Sequence, residues 1–159
     1  MLKEYDPEKT IKGRMAECLV EELLKHSGNK VYRFGYEAVM QNLSQMDEAK
    51  LDHDSEIGRK IRITPDFIVV NKNNVPYFIE VKFRTDARVW ERDIKLIESF
   101  WEAKIIMVTV SKPYFRILDT KKGNRKWIAL EKDRALDIDG IVLGKCNKLV
   151  EKYYIQKKS

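Results

Sequence analysis

The chain has 159 residues, 43% hydrophobic and 35% charged, with seven glycines and four prolines, which suits one folded domain and excludes a disordered or fibrous polymer. Its longest apolar run, 105–110, is far short of the roughly 20 residues that a membrane-spanning helix needs, and no apolar leader opens the chain, so no membrane partner is expected and the location reads as cytoplasmic. Thirty-one Lys and Arg against 25 Asp and Glu give +6 and a pI near 9.2, a balance that favours a polyanionic partner such as nucleic acid.

The two cysteines, Cys18 and Cys146, are too few for a disulfide framework or a four-thiolate cluster, which fits a reducing compartment. Cys18 lies in a helical pattern, where a small buried thiol is the expected reading.

Apolar residues recur at helical spacing over 7–26 (Met15, Leu19, Leu23 and Ala16, Val20, Leu24), and Ser27-Gly28-Asn29 supplies a stop. A short strand is expected over 30–34 and a second helix over 36–46. Residues 47–60 are polar and without period, and read as a mobile loop. The stretch 61–70 is rich in β-branched residues, Asn71-Lys72-Asn73-Asn74 is turn chemistry, and 75–83 is again strand-like, so the segment reads as a β-hairpin. A helix over 89–101, strands over 104–110, 114–118 and 126–130, and a closing helix over 145–155 with Leu149, Val150 and Tyr153 on its apolar side complete the order. Helices interleaved with strands point to an α/β fold, a central mixed β-sheet flanked by helices.

The hairpin carries Pro65-Asp66 and, after thirteen intervening residues, Glu80-Val81-Lys82. Side chains alternate along a strand, so Glu80 and Lys82 share a face. If the turn closes with Asn71 opposite Val75, antiparallel pairing sets Asp66 across from Glu80, close enough for the carboxylates to share one cation. A shift of one residue would separate them. Two hard oxygen ligands beside an ammonium suit Mg²⁺ and a phosphate. The competing reading is a turn-capping Asp66 and a surface pair of Glu80 with Lys82. It fits poorly beside Phe67, Ile68, Val69, Phe78, Ile79 and Val81, since strands that apolar are buried, where unpaired charge is costly.

These residues resemble the signature of the PD-(D/E)xK nuclease superfamily, which includes many restriction enzymes and the archaeal-type Holliday-junction resolvases. Gly13-x-x-x-Glu17 on the first helix is similar to an element that helix often carries in the family. The resemblance covers roughly residues 10–110, with the strands and helix of 111–159 outside it, and implies a restriction-endonuclease-like core within a single nuclease-like domain, similar in layout to the small resolvases. It implies Mg²⁺, with Mn²⁺ able to substitute, held by Asp66, Glu80 and the carbonyl of Val81, with Glu17 contributing through a water or a second ion. Lys82 would hold or help deprotonate the attacking water and offset charge at phosphorus. The expected activity is hydrolysis of DNA phosphodiester bonds, with branched DNA as one substrate form, and members that cut both strands commonly work as homodimers. Two other readings stand beside it: a non-catalytic basic nucleic-acid-binding module, and an RNA-processing nuclease.

Arg59, Lys60, Arg62, Arg84 and Arg88 flank the two strands and are the expected nucleic-acid contacts, through phosphate rather than base edges. Lys121, Lys122, Arg125 and Lys126 crowd a loop that reads equally as a solvated turn. The helix after the ExK strand reads DIKLIESFW from Asp93, without the Gln-x-x-x-Tyr of RecB-type members, and the four cysteines of their iron–sulfur relatives are absent. Lys95 is a weak substitute for that glutamine. Gly140-x-x-x-Gly144-Lys145-Cys146 lacks a spacer and the hydroxyl of a phosphate loop, Asn42-Leu43-Ser44 is a glycosylation acceptor only in a secreted chain, and His26 and His53 have no partners at zinc-ligand spacing. Tyr32, Tyr36, Trp90, Phe100 and Trp101 are able to stack on bases, although aromatic residues in such patterns usually build core.

Overall fold

A computed structural model describes residues 6–35, 55–121 and 125–156. Asp6 starts helix α1 (Pro7–His26) by accepting the Lys9 N–H at 3.2 Å, and Pro7 gives the first turn its fixed φ. Gly28, at φ 93°, turns the chain out of the helix, a conformation that suits glycine. Strand β1 (Lys30–Arg33) follows. The helix expected over 36–46, the Asn42-Leu43-Ser44 acceptor, His53 and most of the loop expected from 47 lie outside the described residues.

The end of that loop and the start of the expected 61–70 strand are instead a short helix, α2 (Glu56–Arg62). Ser55 begins it by accepting the Gly58 N–H at 3.0 Å. Pro65 then has no N–H to give a sheet, so strand β2 is confined to Phe67–Val70. Arg59, Lys60 and Arg62 therefore stand on a helix, and Asp66 in the bend just before β2.

The turn to strand β3 (Pro76–Phe83) is fastened by Asn71, whose side-chain oxygen accepts the N–H groups of Asn73 and Val75 at 3.0 and 2.9 Å. Helix α3 (Glu91–Trp101) ends at Glu102 in the left-handed region, and strands β4 (Lys104–Val108), β5 (Phe115–Asp119) and β6 (Ile128–Ala129) precede a 3₁₀ turn at Leu130–Lys132. Helix α4 (Gly140–Tyr154) starts five residues before the expected 145, because Asp139 accepts the N–H groups of Ile141 and Val142. Its buried side is Leu143, Cys146, Val150 and Tyr154, while Leu149 and Tyr153, expected inside, are exposed.

The six strands form one mixed sheet in the order β1-β2-β3-β4-β5-β6, antiparallel except for β3 and β4, which run parallel through α3. On one face α1 and α4 bury Ala16, Val20, Leu23, Leu24 and Val150 against Phe67, Val69, Ile79, Ile106 and Ile117. On the other, Ile94 and Ile97 of α3 pack with Ala103, Ile105 and Leu118. Cys146 is buried, but Cys18 is exposed and lies 4.0 Å from the guanidinium of Arg33, because α1 turns Ala16 and Val20 inward rather than the thiol. No helix among the described residues is long and apolar enough to cross a membrane.

Candidate active site

The register that brings the acidic residues together starts at the turn. Asn71 N–H donates to the Val75 carbonyl at 3.0 Å, and Val69, Ile68 and Phe67 pair with Tyr77, Phe78 and Ile79. Carried one residue further, this alignment sets Asp66 across from Glu80, where the sequence expects it. Asp66 is held from both sides. Its carbonyl accepts the N–H groups of Phe34 and Gly35 at 2.9 and 3.2 Å, and its Oδ2 accepts the Val81 N–H at 2.7 Å. The N–H and carbonyl of one strand residue project to the same side, so the Val81 carbonyl faces the edge from which the Asp66 carboxylate comes.

Glu80 is buried at 9% exposure, and its Oε1 accepts a 2.5 Å hydrogen bond from the ammonium of Lys82. Burial, and then the charge of Asp66, push the Glu80 carboxyl up to about 7, with Glu17 adding to the rise and Lys82 opposing it. For Lys82, burial works downward, but the charge and hydrogen bond of Glu80 together with the charge of Asp66 outweigh it, and the net shift is upward. Arg84 pulls the other way. Lys82 is therefore a held ammonium, suited to donating hydrogen bonds rather than to taking a proton.

Glu17 is half-buried on α1, which packs on β3, and its charge reaches Glu80. Among the described residues no three His, Cys, Asp or Glu side chains form a set able to hold an ion. Two carboxylates and one main-chain carbonyl remain. That donor set fits Mg²⁺, which keeps several of its waters and takes one or two carboxylates plus substrate phosphate instead of a full protein cage.

The basic residues divide. Arg84 and Arg88 follow the motif directly, with Arg88 exposed and Arg84 near enough to act on Lys82. Arg59 and Arg62 are exposed on α2, whose Lys60 lies over the Trp101 ring at 5.2 Å while its carbonyl accepts the indole N–H at 3.1 Å. Trp101 thus anchors this basic helix against α3. Arg125, expected in a solvated or phosphate-binding loop, pairs with Glu91 and Glu98 of α3, whereas Lys122 lies outside the described residues. Lys95 is exposed, and His26 pairs with Glu22 at 3.1 Å.

Sequence reasoning missed the support from Gly35. Its N–H donates to the Asp66 carbonyl, and a Cβ there would be in ordinary contact with Asp66, 3.7 Å from Oδ1. The available signal was its place at the end of β1. No family model, curated protein or solved structure matches the chain.

Proposed function

We propose that the chain is a Mg²⁺-dependent endonuclease with a restriction-endonuclease-like core of the PD-(D/E)xK type, hydrolysing DNA phosphodiester bonds. The observation that carries this reading is the hairpin register, with Asp66 locked to Val81 at 2.7 Å beside the Glu80–Lys82 pair. Burial, together with the charge of Asp66, raises the Glu80 carboxyl to about 7 even with Lys82 beside it, a cost that a bound cation would relieve.

Asp66, Glu80 and the Val81 carbonyl are the residues that would hold Mg²⁺, with Glu17 acting through water. The bound ion would supply a Lewis acid for the phosphate and a more acidic water at neutral pH. Lys82 orients the attacking water and offsets the negative charge that grows on the phosphate oxygens as the new P–O bond forms and the leaving oxygen departs. Its raised pKa favours this electrostatic role over deprotonation of the water. Arg84 and Arg88 extend positive charge from the motif along the path of the backbone.

The test is a cleavage panel of supercoiled plasmid, linear duplex, four-way junction and RNA, each with Mg²⁺, Mn²⁺ or EDTA. Metal-dependent cutting of DNA is expected. Binding without cutting, in protein free of contaminating nuclease, would leave a non-catalytic nucleic-acid module. Cutting confined to RNA would make the site that of an RNA-processing enzyme.

A further inference from the structure

The end of β3 and the first turns of α1 and α3 frame an open groove of about 580 Å³. Phe83 and Arg84, directly after Lys82, line it together with Lys9, Lys12, Trp90 and Arg92. Trp90 is 71% exposed. The other tryptophans are packed, Trp101 against Phe34 and Phe78 and Trp127 against the cluster around Ile94 and Ile97. An indole left in water forgoes the gain from burial, and such a flat side chain among cations is the arrangement on which unpaired bases stack.

The groove also contains four carboxylates, two in ion pairs and two that accept backbone N–H groups and keep their charge. Asp6 caps α1, Glu8 pairs with Lys12 at 2.6 Å, Asp86 accepts the Arg88 N–H, and Asp93 lies 3.6 Å from Arg92. Lys9 and Arg84 have no such ion pair among the described residues and are the cations left for phosphate. The groove also begins beside the acidic cluster, since its Phe83 and Arg84 directly follow Lys82 in the chain. Lys9, Gly13 and Glu17 follow each other at four-residue intervals on one side of α1, about 6 Å per step. Among the described residues nothing stands within 4 Å of a Cβ placed on Gly13.

We propose that this groove seats an unpaired strand of the nucleic acid entering the candidate site, one base stacked on Trp90 and phosphates at Lys9 and Arg84. The preferred substrate is then a duplex carrying a single-stranded tail or flap. Bases inside a continuous duplex have both faces covered by their neighbours and offer nothing to an exposed indole. The inference deepens the nuclease reading and rests on it for the strand's route.

Fluorescence anisotropy in Ca²⁺ tests it, with a labelled blunt duplex and the same duplex bearing a short oligothymidine tail at its 5′ or 3′ end. The tailed duplex is expected to bind more tightly. Trp90→Ala should lose roughly ten- to hundredfold affinity for it and leave the blunt duplex unchanged, whereas Trp90→Phe keeps most of the affinity. Oligothymidine alone should quench the indole emission of the wild type, and that quenching should vanish in Trp90→Phe. Equal binding of tailed and blunt duplex, or an equal loss on both in Trp90→Ala, would overturn the inference. The readout needs no cleavage: tail-dependent binding without metal-dependent cutting would sustain the groove and refute the nuclease, while cutting without any tail effect would do the reverse.

Discussion

At the residue scale, the burial of the Glu80 carboxylate, with the charge of Asp66 beside it, makes the protein sensitive to pH. Glu80 titrates at about 7 in the folded chain against the ordinary value of 4.5, so between those values the native state holds a proton that the unfolded state has released. Stability in EDTA should therefore fall as pH rises through that window. At about 1.4 kcal/mol per pH unit the loss is on the order of 3 kcal/mol. Denaturant titrations across pH 4.5 to 7 check this: Glu80→Gln should flatten the dependence, and saturating Mg²⁺ should flatten it in the wild type. Asp66→Asn tests the other carboxylate. Its amide oxygen is still able to accept the Val81 N–H, so the fold should persist while calorimetric Mg²⁺ or Mn²⁺ affinity drops. Unchanged affinity would remove Asp66 from the metal's ligands.

Among the elements, the hairpin was legible because its determinants are local: four turn residues fix Asn71 against Val75, and the register then places Asp66 by counting. Helix α2 was not. Its seven residues are too few to show a period, and the β-branched Ile61 and Ile63 pointed to a strand, so only Ser55 before Glu56 hinted at a helix start. The face of α4 was misjudged because the apolar Leu149 and Tyr153 lie beside the buried Val150 and Tyr154 in sequence. Nor was the buried cation of the sheet legible. Lys104, at 5% exposure, holds Asp133 at 3.0 Å and Asp119 at 3.3 Å and lies 5.2 Å from the Tyr77 ring, partners separated from it by long stretches of chain. It ties β4 and β5 to the segment after the 3₁₀ turn. Lys104→Met should cost about 3 kcal/mol in chemical unfolding, because Asp133 stays buried without its counter-charge. A loss below about 1 kcal/mol would show that water reaches the pair.

For the whole molecule, the +6 charge matters through its placement. Arg84 and Arg88 follow the acidic site and the basic α2 is fixed by Trp101, so under the proposed function a nucleic-acid backbone entering the site would meet cations that carry no base code. Binding to a fixed duplex in Ca²⁺ should weaken steeply with salt, each phosphate contact adding about 0.9 to the log–log slope. Replacing Arg84 and Arg88 together by Gln should lower that slope by up to about two, and an unchanged slope would return both to the solvated surface. The most direct measurement of the central claim is nicking of supercoiled plasmid by the wild type and by Lys82→Ala in Mg²⁺, with metal affinity and folding of both verified. Lys82 is the ammonium beside the Asp66–Glu80 pair, and under the proposed mechanism it would act on the nucleophile and the transition state rather than on the ion. The wild type is predicted to nick only with metal, and Lys82→Ala to lose nicking while remaining folded and metal-binding; near-normal nicking by that variant, or none by the wild type, would contradict the account.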